Sequence, residues 1–199
     1  MTGPSRLDRL TEAASRASAR LGGAVILLSA LLVTAEVFVR NAQVGPLAGV
    51  RLHAFELTNW GFAAAVAFGF SYALTQRAHI RIDLLYGWAP LPVRATLDAA
   101  ALLSLAAMAC FMAWHGWGVA AQSLKLGAMP NSTLRIPMAI PQAVWAGGLT
   151  WFAGIATLLA GQATWRLLTG RFAALHAAAG VTAEAARPEA GRPDRKDSA

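Results

Sequence analysis

Three carboxylates, Glu36, Glu56 and Asp98, stand inside otherwise apolar stretches of this chain. Charge in hydrocarbon costs several kcal/mol, so an intramembrane acid is first read as part of a proton or ion path. Depth argues against that role here. At 1.5 Å per residue, Glu36 lies roughly 22 Å beyond Leu21 along an outward-running helix, close to the outer interface. Glu56 begins the next, inward-running helix at the same level. Asp98 follows Arg94 by one turn, near the inner surface, where an i,i+4 contact is available. None of the three falls at mid-depth. The reading that follows is interfacial charge, snorkelling or paired with Arg40, Arg51 or Arg94.

The other reactive side chains are scattered. His53, His79, His115 and His176 form no HxxxH pair on a membrane helix, and no CxxCH motif offers covalent haem attachment. Cys110 is the lone cysteine, so a disulfide framework is excluded. There is no metal-ligand cluster, serine nucleophile elbow or phosphate-cradling glycine loop. The expectation is no catalytic residue, no cofactor and no metal.

The elements that carry these residues are set by composition. Of 199 residues, 56% are hydrophobic and 14% charged, against roughly 25% charged in soluble domains. Four segments, 21–39, 54–74, 95–121 and 138–165, hold only three charged residues, Glu36, Glu56 and Asp98. Each is long enough to cross a hydrocarbon layer, which takes about 20 residues. The expected fold is an all-α membrane protein with four transmembrane helices in a membrane domain over 21–168. No soluble module of 50 residues or more remains outside it, which excludes an attached enzyme or receptor domain.

Charge then orients the chain. With four crossings both termini share a side, and that side holds thirteen of the 17 basic residues. These include Arg6, Arg9, Arg16 and Arg20, then Arg77, Arg81 and Arg94, then the residues after Arg166. Arg40, Arg51, Lys125 and Arg135 fall opposite. Lysine and arginine are retained in the cytoplasm during insertion, so both termini are expected there. The same flanking distribution explains the net charge of +7 without a nucleic-acid patch. The run from Leu21 to Val39 is too long for a signal peptide, so the first helix should remain uncleaved.

Residues 1–20 form a cytoplasmic amphipathic segment. Leu7, Leu10, Ala14, Ala17 and Leu21 recur at helical spacing, with arginines on other faces. Two arrangements fit: an interfacial helix on anionic headgroups of the inner leaflet, or a straight extension of the first membrane helix. Residues 40–53 should be irregular, and 76–94 a membrane-hugging cytoplasmic turn. Pro137 and Pro141 should bend the approach to the fourth helix. Residues 172–199 are polar, rich in alanine and proline, and expected to be disordered. Gly61, Ala65 and Gly69 recur every four positions in the second segment; Gly147, Gly148, Gly154 and Gly161 mark the fourth. Such faces suit close helix packing, within this chain or against another.

One stretch is more particular: Arg77-Ala78-His79-Ile80-Arg81-Ile82-Asp83-Leu84-Leu85. It follows a segment with Glu56, Trp60 and Gly69, and precedes Pro92, Arg94 and Asp98. Ser132 through Ile136-Pro137 and the ending Val37-Phe38-Val39-Arg40 complete the pattern. Over roughly residues 25–165 the chain resembles the small membrane subunit, DctQ-like, of tripartite ATP-independent periplasmic (TRAP) transporters. The glycine- and proline-bearing first external loop departs from that pattern.

The resemblance implies a bacterial inner-membrane protein that scaffolds a large permease subunit. That partner would carry out sodium-coupled uptake of an organic acid delivered by a periplasmic solute-binding protein. Arg40, Glu56, Trp60, Gly61, Gly69, Arg77, His79, Arg81, Asp83, Arg94, Asp98 and Pro137 become candidates for subunit contact or structural support. His79 and Asp83 lie one helical turn apart, while Arg77 and Arg81 could meet lipid phosphates or an acidic face of the large subunit. The alternatives are a stand-alone proton-coupled exporter, which needs a carboxylate at mid-depth, and a haem-bearing anchor, which needs facing histidines.

Overall fold

The computed structural model describes residues 6–42, 53–76, 90–131, 135–173 and 175. Within them the chain forms four helices: α1 (Arg6–Ala42), α2 (Ala54–Thr75), α3 (Leu91–Lys125) and α4 (Ala139–Leu168). At 1.5 Å per residue they extend about 55, 33, 52 and 45 Å, against roughly 30 Å of hydrocarbon. Among them α1, α3 and α4 are long and apolar enough to cross a membrane. Helix α2 is not in that group, because Asn59, Ser71 and Tyr72 dilute its apolar run.

Local chemistry sets the ends. Helix α1 passes through residues 20 and 21 without a break, so residues 6–20 are the straight extension of the first membrane segment, not a separate helix. Asp8 in its first turn suits the positive end of the helix dipole, and Arg16 pairs with Glu12 at 2.6 Å. Helix α3 starts at Leu91, four residues before the expected boundary. Pro90 is its N-cap and Pro92 sits in the first turn, where a missing N–H costs nothing. Pro141 occupies the equivalent place in α4, while Pro137 stays outside in the approach. The Met138 N–H donates to the Ala128 carbonyl at 3.0 Å, closing the α3–α4 turn. Gly127 takes a left-handed φ of 58° just past the end of α3, where a side chain would be strained.

The helices pack as a row. Helix α1 lies on α2, α2 on α4, and α4 on α3, so α1 and α3 form the edges. A closed bundle would bring α1 against α3; among the described residues no substantial packing joins them. Burial follows this order. Of the most apolar stretch of each helix, 6% is buried in α1, 28% in α3 and 44% in α4. The buried side chains are mostly alanine, with Leu102, Leu149, Phe152 and Ile155 as larger fillers. Small residues let backbones approach where water exclusion cannot drive association. The segment 77–89 joins α2 and α3, which are not neighbours because α4 stands between them.

Candidate functional site

The α1·α2·α4 junction carries a polar seam that sequence reading did not anticipate. Ser18 and Ser71 place their hydroxyls 3.1 Å apart, and the Trp151 Nε1–H donates to Ser71 Oγ at 3.1 Å. Ser71 also donates to the Phe68 carbonyl at 2.8 Å. Three helices are thereby pinned at one level, and each polar atom is satisfied inside an apolar setting. Ser15, one turn before Ser18, is fully buried and its Oγ has no hydrogen-bond partner. The available signal was a serine in the apolar run of α2 facing a mid-helix tryptophan, but spacing alone does not pair positions 80 residues apart.

At the opposite end of α1, Glu36 is half-buried and reaches across to the start of α2. Its Oε2 accepts the Ala54 N–H at 2.5 Å. It thus caps the first turn of α2 from a neighbouring helix, where carboxylate charge and helix dipole reinforce one another. His53 precedes that turn with a left-handed φ of 51°. Its Nε2 is buried without a partner. Glu56, half-buried in the same turn, is engaged in a polar or electrostatic interaction.

Asp98, expected near the inner interface beside Arg94, is 1% exposed, among the largest fully buried side chains of the described residues. It is engaged with a partner, as is the half-buried Arg94 one turn before it. Arg40 is exposed in the last turn of α1, and Trp60 is half-buried on α2. Arg77, His79, Arg81 and Asp83 lie outside the described residues. Among the described residues no group of three or more histidine, cysteine or acidic side chains is placed to hold a metal ion.

The glycine faces divide between internal and outward roles. A Cβ on Gly148 would fall 2.7 Å from the Ala67 Cβ, and one on Gly22 would fall 3.0 Å from the Ala65 carbonyl oxygen. Gly61 faces Ser29 and Val25 of α1 at 3.1 Å. These three allow α1, α2 and α4 to touch. Gly69, expected on the same packing face as Gly61, instead meets nothing within 4 Å, and neither do Gly147, Gly154 and Gly161. The last three recur every seven residues, leaving a smooth strip along α4 bordered by the exposed Leu158 and Trp165.

The arrangement holds a row of helices together and presents wide apolar faces, and no carboxylate or imidazole cluster interrupts them among the described residues. Trp151 and Ser71 fasten the interior; Leu27, Phe38, Phe111 and Trp114 are exposed on the edge helices. Searches of curated proteins and of solved structures return no match. The sequence does match, over residues 29–170, the family described as tripartite ATP-independent periplasmic transporters, DctQ component. That span takes in the Glu36 cap, the Ser71–Trp151 contact, Asp98 and the whole of α2, α3 and α4, and the chain belongs to this family, the small membrane subunit of TRAP transporters.

Proposed function

We propose that this chain is a non-catalytic scaffold that holds the large permease subunit of a TRAP transporter in the inner membrane. Members of its family work with that large subunit and with a periplasmic binding protein. The observation that carries the reading is the open row: helices fastened to one another through Ser18, Ser71 and Trp151, with outer faces that stay apolar and uncovered among the described residues. A transporter needs polar groups at the midplane to receive its substrate. Sodium coupling and recognition of the organic acid then belong to the large subunit and the binding protein.

In this reading α2 is a fourth span and both termini are cytoplasmic. The support is its length of 22 residues and its place between α1 and α4, with Ser71 turned inward. Ser18, Ser71 and Trp151 meet at one level, yet Ser18 precedes the apolar run of α1 and Trp151 lies midway along α4. A row slanted to the bilayer normal brings all four apolar runs to one depth and accommodates helices of 30 to 37 residues. The loop residues Arg77, His79, Arg81 and Asp83 are assigned to assembly, as are Gly69 and the Gly147–Gly154–Gly161 strip.

Affinity purification of the tagged chain from native membranes tests this. The large permease subunit should co-purify at near-equal amounts, and H79A/D83A should lower its yield. Recovery of the chain without that subunit under mild detergent would reject the scaffold role.

A further inference from the structure

We infer that the free edge of α1 is a binding surface for anionic phospholipids of the inner leaflet, formed by Arg9, Arg16 and Arg20. The inference rests on the cytoplasmic placement of the N-terminus proposed above. At 100° per residue these three arginines fall within about 40° of one another on the helix circumference. The residues that pack on α2, namely Ser15, Ser18 and Gly22, centre on the far side, about 150° away. Because α1 is an edge of the row, no other helix among the described residues covers the arginine face, and all three side chains are exposed.

The same face changes character abruptly. Beyond Arg20 it continues as Leu27, Leu31 and Phe38, which are 66% to 72% exposed. A guanidinium stripe that stops where an exposed leucine stripe starts matches a phosphate layer above acyl chains. Arginine presents a planar fork of donors to phosphate oxygens, and its methylene stem lies along the apolar side. Glu12 compensates one charge through Arg16 at 2.6 Å, leaving a net attraction for anionic headgroups over zwitterionic ones. The family match begins at residue 29, so the three arginines lie before the matched region.

Full-length chain in nanodiscs of mixed phosphatidylglycerol and phosphatidylcholine provides the test, read as lipid retained after transfer to detergent by native mass spectrometry. The wild type should retain phosphatidylglycerol preferentially. R9Q/R16Q/R20Q should lose that preference on the order of tenfold or more, since each surface arginine adds about 1 kcal/mol of attraction to an anionic leaflet. K125Q/R135Q, at the other end of the row, should behave as wild type, and R9K/R16K/R20K should keep most of the preference. Circular dichroism establishes that the glutamine variant stays helical; if it does not, R20Q alone is compared with wild type. Unchanged phosphatidylglycerol retention in the glutamine variant, or equal loss in K125Q/R135Q, overturns the assignment. Reporter fusions that place the N-terminus outside would instead reject the orientation on which it rests.

Discussion

Gly148→Leu is expected to break the row at its centre. The new Cβ would sit 2.7 Å from the Ala67 Cβ and 3.2 Å from the Phe68 backbone nitrogen. Backbone cannot rotate out of the way as a flexible side chain can, so α4 must move off α2. Overpacking of this kind costs about 1–3 kcal/mol and more where the backbone is the obstacle. It also pulls Trp151, one turn away, from Ser71. Thermal unfolding of the purified chain in detergent should show a lowered midpoint, and transport by the assembled complex should fall with it. Gly154→Leu is the informative contrast: its position meets nothing within 4 Å, so the isolated chain should keep its stability. Impaired co-purification of the large subunit by Gly154→Leu would then place docking on that strip.

Asp98→Ala should be the most damaging single change to a polar side chain. The carboxyl is 1% exposed and engaged, so its removal leaves a partner unsatisfied within low-dielectric surroundings. Such losses are on the order of 3 kcal/mol. Urea or thermal unfolding of Asp98→Ala against wild type reads the loss directly. Asp98→Asn keeps shape and hydrogen-bonding capacity and should recover a good part of it. Wild-type stability in Asp98→Ala would mean that the buried acid contributes nothing to the fold.

Both sites show what a sequence can and cannot disclose. Hydropathy located the four helices to within a few residues at most ends, because runs such as Leu97–Val119 have no other stable use. It left two arrangements open at α1, because nothing in composition tells a surface helix from an extension; the helix runs unbroken across residues 20 and 21, as an extension would. Helical spacing identified glycine faces yet could not assign them. Gly61 and Gly69 are eight positions apart, and the drift of a straight helix over that distance carries one onto α1 and the other into open space. The seam of Ser18, Ser71 and Trp151, and the Glu36 cap on Ala54, depend on contacts between distant segments. Their residue types are unremarkable singly and acquire meaning only from the order of helices in the row. The resemblance to the TRAP small subunit is most specific at Arg77 through Leu85, which lie outside the described residues, and the match over 29–170 bears out the family.

Reconstitution measures the scaffold claim most directly. Proteoliposomes holding only this chain, given a sodium gradient, the binding protein and its organic acid, should accumulate no substrate. Adding the large subunit should start uptake, and omitting this chain from that mixture should sharply reduce it. Substrate entry catalysed by the small subunit unaided would contradict the account.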